Sequence, residues 1–383
     1  MTEPTPLGSL VEIDDRTVLV LGQELDIAHE QPDVGNALVH RAGEHLVLVD
    51  TGVTEAFRAA LRTAVDRVGP WSRLLLITTH GHTDHVGNND LVDELAAELG
   101  VPAEHWVSAR DVEQMRDPVT YWERAFDRLT GVAPLPAPPA LSAKKVVSLF
   151  QPLHPFGTTT RTYEERPLER LSLGSVRMTG WSFADGAVRV LRSQGHCAGH
   201  VIVHLRDAGL VHLGDEVNGP CGAMRDADQL KLTTVFGAVA TAAAEGAVSA
   251  VTEGHDGTVR RGDEVVAHLD EILDQAVALQ EAALEITDGH DTVDPAGFAT
   301  DLGRRVAELG GGGPNPNPVF GGMMSVNMLD EIGLRPAHAG HEGRPWSRPG
   351  RTDPAPVAGM PHGIALLPAA AAMVGWKLRG RDK

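Results

Sequence analysis

The first third of the chain alternates between short apolar segments and turn residues. Three six-residue segments are rich in valine and leucine, and Gly, Pro or Asp residues separate them; they span residues 17–22, 36–41 and 45–50. Short runs of this composition, bounded by turn formers, are typical of strands. The pattern therefore predicts three neighbouring β-strands before residue 51.

The next segments combine two helical patterns with a strand that has no polar face. Residues 54–69 carry apolar side chains at helical spacing, and Thr54 is placed to cap the amino end. Residues 73–79, RLLLITT, are almost continuously apolar, which predicts a strand covered on both faces. Residues 89–100 predict another helix, which ends at Gly100.

The second half repeats the order of strands followed by helices. Apolar runs predict strands at residues 187–193, 201–207, 209–215 and 247–255. Apolar residues at helical spacing predict helices at residues 228–246, 262–287 and 294–309. Strands followed by a helix, twice over, predict an α/β protein whose sheets are covered by helices.

The middle of the chain departs from this pattern. Residues 121–156 hold many of the prolines and several of the aromatic residues. We interpret the interval around residues 108–175 as an inserted, lid-like segment in a domain that spans residues 1–310. The sequence GGGGPNPNP at 310–318 is incompatible with a helix. This stretch separates the domain from a C-terminal extension.

The C-terminal extension, residues 311–383, is rich in Gly and Pro. Its apolar run at 363–376 is interrupted by Pro368 and is shorter than the roughly 20 residues that a membrane-spanning helix needs. We expect the extension to pack either on its own domain or on a partner subunit, which leaves a homo-oligomer open.

Candidate chemistry begins directly after the apolar strand 73–79. The sequence HGHTDH places His80, His82, Asp84 and His85 within six residues. Residues two apart in an extended segment point the same way, so His80 and His82 can face one ion. Four ligands suffice for one ion, but this spacing suits two half-filled sites better. The alternative is a surface loop with coincidental histidines. The position of HGHTDH at the carboxyl end of a strand argues against this alternative.

Two half-filled sites require further ligands, and three candidates end later apolar runs. His196 follows the strand 187–193, Asp215 ends the run LVHLGD, and His255 ends AVTEGH. Each follows a glycine, which lets the backbone turn sharply. A lone histidine after a strand is usually structural, but all three candidates together, in this order behind HGHTDH, favour metal ligation.

The order of these motifs resembles that of the metallo-β-lactamase superfamily. The motif positions are DTG at 50–52, THGHTDH at 79–85, GHCAGH at 195–200, LGD at 213–215 and GH at 254–255. The resemblance implies an αββα sandwich of two mixed β-sheets flanked by helices. The implied metal ligands are His80, His82 and His196 for a first ion, Asp84, His85 and His255 for a second, and Asp215 for both. Asp50 is implied to support the metal loops without binding metal.

Within the superfamily, the ligand pattern resembles the glyoxalase-II-like and lactonase-like branches. The bridging position holds Asp215 rather than the cysteine of the antibiotic-hydrolysing enzymes. The sequence has no clear basic cluster of the kind that would recognise glutathione, which weakens a glyoxalase II assignment specifically. Asn88 stands where the family often has glycine, and we expect Asn88 or Asn89 to cap the next helix.

The amino-acid composition limits the classes of binding partner that we expect for this protein. The net charge of −19 over 383 residues disfavours nucleic acid, because an acidic surface repels phosphates. Two cysteines, Cys197 and Cys221, are too few for a disulfide framework and favour a reducing cytoplasm. We expect Cys197 to be a small buried residue rather than a nucleophile. The expected partner is a small-molecule substrate, without nucleic acid or membrane.

The implied reaction is hydrolysis of an ester, thioester or lactone by a metal-activated hydroxide. Two divalent ions are expected, with zinc as the first choice and iron or manganese as alternatives; Asp84 and Asp215 are the candidate catalytic carboxylates. Tyr121, Trp122 and Phe126 form either an apolar wall for a lipophilic substrate or a helix face packed on itself. The alternatives are an iron oxygenase of the same fold and a non-catalytic metal-binding protein.

Overall fold

The computed structural model describes residues 6–132, 142–217, 222–308, 318–336 and 344–348. Its strands are β1 (Leu10–Asp14), β2 (Thr17–Val20), β3 (Ala37–Ala42), β4 (His45–Val49), β5 (Arg73–Ile77), β6 (Ala103–Val107), β7 (Thr160–Thr162), β8 (Glu169–Leu173), β9 (Val176–Phe183), β10 (Val188–Arg192), β11 (Val201–Leu205), β12 (Leu210–His212), β13 (Ala250–Thr252), β14 (Arg260–Arg261), β15 (Thr292–Val293), β16 (Arg335–Pro336) and β17 (Trp346–Ser347). Its helices are α1 (Glu55–Arg67), α2 (Thr83–Val86), α3 (Leu91–Leu99), α4 (Val112–Arg116), α5 (Pro118–Arg128), α6 (Ala143–Ser148), α7 (Gln229–Ala244), α8 (Asp263–Thr287), α9 (Pro295–Glu308) and α10 (Pro318–Glu331).

The first sheet places two motif loops side by side. Its seven strands follow chain order from β1 to β7, antiparallel as far as β4 and parallel from β4 to β7. Val49 at the end of β4 pairs with Ile77 at the end of β5. Parallel neighbours finish at the same sheet edge. Asp50 and the histidines that follow β5 therefore leave the sheet together.

The second sheet places the loops that carry Asp215 and His255 side by side. Its order is β14-β13-β12-β11-β10-β9-β8, and β12 pairs with β13 as parallel neighbours inside an otherwise antiparallel sheet. His212 pairs with Thr252, so the segments carrying Asp215 and His255 start from the same edge.

The two sheets pack face to face, and helices cover their outer faces. Leu75 and Ile77 of β5 join the core between the sheets, whereas Leu74 and Leu76 join the outer core with α1 and α3. Helices α7 and α8 cover the outer face of the second sheet. This alternation follows from the two-residue period of a strand. The predicted αββα sandwich and the two-sided burial of β5 are confirmed.

A separate hydrophobic core holds four helices together. We call α5, α9, α10 and the carboxyl half of α8 the helical lobe; Phe298, Met323 and Trp346 are among its fully buried residues. The small sheet of β15, β16 and β17 flanks it. The described part of the C-terminal extension thus packs on its own chain. Residues 310–317 and the apolar run 363–376 lie outside the described residues.

The interval around 108–175 is not a single inserted segment. Strand β7 pairs with β6 in the first sheet, and β8 pairs with β9 at the edge of the second. Regular strands therefore resume at residue 160, not at 187 as expected. The sequences of β8 and β9, ERLSL and VRMTGWSF, carry charged residues on the solvent side, which interrupts the apolar run that marked the other strands.

None of the described helices has the length and apolarity required to span a membrane.

Candidate metal centre

The HGHTDH segment changes conformation in its middle. His82 has an extended backbone and directly precedes the single-turn helix α2. His80 and His82 therefore belong to an extended stretch, whereas Asp84 and His85 belong to a helical turn. This change of backbone directs the two pairs to different sides, as the spacing predicted.

One group of donor atoms collects around His82. The nitrogen and oxygen donors of His80, His82, His196 and Asp215 all lie within 4.8 Å of one another, and we call them the first donor group. His82 Nδ1 is 3.2 Å from His196 Nε2, and Asp215 Oδ2 is 3.7 Å from His196 Nε2. His80 Nε2 is 3.8 Å from the same oxygen.

A second donor group forms next to the first. It consists of Asp84, His85, Asp215 and His255, again with donors within 4.8 Å of one another. Asp84 Oδ2 lies 3.2 Å from both His85 Nε2 and His255 Nε2. Asp215 Oδ1 is 3.1 Å from His85 Nε2, and Asp215 Oδ2 is 3.3 Å from His255 Nε2. The structure thus brings all seven predicted ligands together, with Asp215 shared.

Several buried atoms at this centre have no hydrogen-bond partner among the described residues. They are His80 Nε2, His85 Nε2 and Asp215 Oδ1; the last two are 3.1 Å apart as an ion pair, without the geometry of a hydrogen bond. Leaving buried polar atoms unpaired costs roughly 1–3 kcal/mol each. Imidazole nitrogens and carboxylate oxygens at this spacing fit a borderline divalent metal such as zinc. The residues therefore fit two metal ions.

Electrostatics separates the two donor groups. Burial lowers the pKa of His80, His82 and His196, so these rings are neutral, the form that binds metal. Burial opposes charge on His85 and His255 as well. Here, however, Asp215 and its neighbouring carboxylates outweigh burial and hold both pKa values well above the usual range. Protons on these rings occupy the place of positive charge that a metal would supply.

Asp50 contacts the loop that carries the HGHTDH segment at two points. Its Oδ1 accepts from Thr79 N at 2.7 Å, and its Oδ2 accepts from Thr79 Oγ1 at 2.6 Å. The same Oδ2 lies 2.9 Å from His85 Nδ1, and Thr79 Oγ1 lies 3.0 Å from His80 Nδ1. Asp50 also groups with His80 and His85 as a donor. Because its oxygens already accept these bonds, we assign it to support.

Asn88 and Asn89 do not cap a helix, contrary to expectation. Helix α3 starts after Asp90. Asn88 Nδ2 instead donates to the carbonyl of Thr51 at 3.1 Å, and Asn89 Oδ1 accepts from Thr51 Oγ1 at 2.7 Å. The two amides fix the DTG loop, because the chain from α2 runs past it before α3 begins.

Glu216 was missed by the sequence analysis. Its carboxylate accepts from the backbone N–H groups of Gly195 at 3.1 Å and His196 at 3.0 Å, and lies 2.9 Å from His200 Nδ1. His200 Nε2 in turn accepts from Asp215 N at 3.1 Å. Glu216 thus connects the GHCAGH loop to the LGD loop. Its position directly after Asp215, at a buried strand end, was the available signal.

Two more partners of the histidines were also missed. Asp33 Oδ1 is 3.4 Å from His255 Nδ1. Asp226 lies beside the hydroxyl of Tyr121, which itself faces His82 Nε2 at 3.3 Å. Such outer partners fix the ring orientation of metal-binding histidines.

The three aromatic residues proposed as a substrate wall do not all adjoin the metal centre. The rings of Trp122 and His82 are 6.4 Å apart, so Tyr121 and Trp122 both adjoin the first donor group. Trp122 and Phe126 pack against the core of the helical lobe. Most of this helix face is therefore used in packing, which agrees with the simpler of the two interpretations.

Two glycines lie so close to ligand side chains that a larger residue would not fit in their place. A Cβ atom on Gly254 would lie 1.9 Å from Asp215 Oδ1, and one on Gly35 would lie 2.4 Å from the ring of His85. Close approach, as well as a sharp turn, explains the glycine before His255.

Cys197 is a small buried residue, as expected, and does not supply a nucleophile. Cys197 is fully buried, and burial raises the pKa of its thiol well above the usual value. Cys221 lies outside the described residues.

Comparisons with known proteins show similarity to one superfamily. The family model of the metallo-β-lactamase superfamily matches residues 31–159. A human protein, metallo-β-lactamase domain-containing protein 1, is 36% identical over 93 residues, which are 22% of this chain and 35% of the human protein. The match therefore covers about a third of that relative.

Solved structures share the fold. A metallo-β-lactamase family protein from Thermus thermophilus is 18% identical with a TM-score of 0.53, covering 82% of this chain and 94% of that one. A β-lactamase domain protein from Burkholderia ambifaria is 17% identical with a TM-score of 0.56, covering 91% and 96%. An inverting sec-alkylsulfatase from Pseudomonas sp. is 16% identical with a TM-score of 0.56, covering 96% and 57%. At these identities, the likeness concerns the fold alone.

Proposed function

We propose that this chain, whose resemblance to the metallo-β-lactamase superfamily is confirmed, is a hydrolase that depends on two divalent metal ions. Its substrate would be an ester, thioester or lactone of a small molecule, and zinc is the expected metal. The supporting observation is the carboxylate of Asp215, which is shared by two donor groups that include unpaired imidazole nitrogens. A shared carboxylate between two sets of ligands is typical of dinuclear hydrolytic sites.

Two cations bound here would lower the pKa of a shared water and polarise the substrate oxygen. The residues of the chain would orient that water and receive its proton. We assign proton acceptance to Asp84, because its Oδ2 faces both His85 and His255 at 3.2 Å while its Oδ1 makes none of the side-chain contacts described for this residue. Its side chain is 13% exposed, so water can reach it.

The site opens on the side of the second donor group. The side chain of His255 is 22% exposed and that of Asp84 is 13%, whereas His80 and His196 of the first donor group are buried. A substrate would therefore approach past His255 and Asp84. The neutral histidines of the first donor group would lie at the closed end.

The proposal predicts that metal content and activity fall together. His82→Ala and Asp215→Ala each remove a donor, so both variants should bind less zinc and lose most hydrolytic activity. The measurements are metal analysis and turnover of a panel of aryl esters, thioesters, lactones and a secondary alkyl sulfate. The last arm tests the chemistry named for one structural neighbour.

His290→Ala is the matched control, because His290 is an exposed histidine outside the donor groups. It should keep both metal and activity. Full hydrolysis by metal-free protein would overturn the proposal. Two bound irons, with oxygen consumption in place of hydrolysis, would replace it with the oxygenase alternative. The cytoplasmic location and a homo-oligomeric state remain predictions.

A further inference from the structure

The ring of His82 is held between two different neighbours. Its Nδ1 faces His196 Nε2 within the first donor group, and its Nε2 faces the hydroxyl oxygen of Tyr121 at 3.3 Å. The Nδ1 atom is therefore the one available to a metal. A histidine that binds through Nδ1 carries its proton on Nε2, where it can donate to the Tyr121 oxygen.

Asp226 continues this contact into a second metal loop. Tyr121 Oη donates to Asp226 Oδ1 at 3.3 Å, and Asp226 Oδ2 accepts from the backbone N–H of Ala198 at 2.9 Å. Ala198 lies two residues after His196 in the GHCAGH loop. One carboxylate thus joins the partner of His82 to the loop that carries His196.

Both members of this pair depend on the helical lobe. Tyr121 is on α5, and the neighbouring Ala125 of that helix is buried in the core of the lobe. The loop that carries Asp226 is held by Asn327 on α10, whose Nδ2 donates to the carbonyls of Gly222 at 2.9 Å and Met224 at 2.8 Å. The lobe therefore reaches the first donor group by two routes.

The outer contacts of the other ligand histidines come from the sandwich. Asp50 and Thr79 contact His85 and His80. Glu216 holds the backbone of His196, and Asp33 faces His255. Among the described residues, His82 thus differs from the other four in taking its outer contact from the helical lobe.

We infer that Tyr121 and Asp226 are positioning residues, which fix His82 with Nδ1 toward the metal and make the helical lobe part of the metal centre. The inference rests on the proposed metal site. Outer partners of this kind typically change metal affinity by roughly 10–100-fold. The effect belongs to the first donor group, since neither residue contacts a ligand of the second group among the contacts described for them.

Tyr121→Phe tests this inference, because it removes one hydroxyl and keeps the ring. Zinc affinities at both sites would be measured by chelator competition, together with the absorption spectrum of the cobalt-substituted protein. We expect the affinity of one of the two sites to fall roughly 10–100-fold and the cobalt spectrum to change, with the other site unaffected.

Tyr163→Phe is the matched control. Tyr163 is fully buried, and its hydroxyl donates to the carbonyl of Thr78 at 2.9 Å rather than to a ligand histidine. Loss of the Tyr163 hydroxyl should leave both zinc affinities and the cobalt spectrum as in the unmodified protein. Equal losses in the two tyrosine variants would overturn the inference, since a general effect of removing a buried hydroxyl would then explain them.

Asp226→Asn provides a second, independent variant. It should weaken the same site as Tyr121→Phe, and the double variant should lose less than the product of the two single losses, because both act on His82. If Tyr121→Phe does not fold, unchanged zinc affinity in Asp226→Asn overturns the inference by itself.

The outcomes separate the two proposals. Unmodified protein that binds no metal overturns the proposed function and this inference together. Two tightly bound metals without hydrolysis overturn only the function. Two metals bound equally well by unmodified protein, Tyr121→Phe and Asp226→Asn overturn only the positioning role.

Discussion

At the scale of single residues, the two donor groups differ in the charge of their histidines. His80, His82 and His196 are neutral because burial disfavours the charged ring. His85 and His255 keep protons, because Asp215 and its neighbours overcome the same burial. A metal must displace a proton before it can bind such a ring.

Metal binding at the second donor group should therefore depend on pH. The pKa values of His85 and His255 are raised, so metal competes with protons up to pH values above neutral. Zinc affinity should rise as the pH is raised above about 6.5, by up to about tenfold per pH unit for each displaced proton. Calorimetry in buffers of different ionisation enthalpy counts the protons released.

In His255→Gln, one proton fewer should be released on binding. A zinc affinity that does not change as the pH is raised above about 6.5, with no protons released on binding, would contradict the charge assignment of the second donor group.

Residue type explains which parts of the site could be predicted. Histidines are scarce, 18 of 383 residues, so three within HGHTDH are informative. Asp and Glu together number 52, so Glu216, Asp33 and Asp226 carried little signal alone. Their roles depend on contacts between distant loops, such as that of Glu216 with His196. A single sequence does not reveal such contacts.

At the scale of elements, the long amphipathic helices α1, α3, α7, α8 and α9 and the most apolar strands were predicted from the sequence. The short helices α4 and α6, helix α10 and the less apolar strands, among them β6 inside the first sheet, were not. The period of α8 and the apolar run of β5 identify those elements directly. Strand β8 begins with the adjacent charged residues Glu169 and Arg170, β9 carries Arg177, and β7 has only three residues. Their pairing supplies the regularity that their sequences lack.

His105 joins three strands near the site, and it makes acid stability testable. Its Nε2 lies 3.0 Å from Thr78 Oγ1 and its Nδ1 lies 2.7 Å from Thr160 Oγ1, which follow β5 and begin β7. Burial lowers the pKa of His105 to about 3. Below about pH 6.5 the unfolded chain binds a proton here that the folded protein refuses until about pH 3.

The free energy of unfolding should therefore fall as the pH falls from about 6.5 towards 3. His105 contributes up to about 1.4 kcal/mol per pH unit. His105→Gln keeps a neutral polar side chain and should give a shallower slope. Urea unfolding of both proteins with a chelator present measures the difference. Parallel pH profiles would show that His105 is not held neutral.

At the scale of the whole molecule, two parallel strand pairs, β4–β5 and β12–β13, bring the motifs to one edge of the sandwich. The motif order predicted the αββα arrangement through its resemblance to a family. It did not predict the docking of the helical lobe, although the lengths of α8 and α9 were expected. The apolar faces of those helices show that they pack, but the partner of each face is set by the tertiary fold.

If the proposed function is right, Asp215 joins two metal ions in one centre. The most direct test is a crystal structure of the zinc-loaded protein, with anomalous scattering measured at the zinc edge. We expect two peaks about 3.5–4 Å apart. One should contact His80, His82 and His196, the other Asp84, His85 and His255, and both Asp215. A single peak, or two peaks of which only one contacts Asp215, would contradict it.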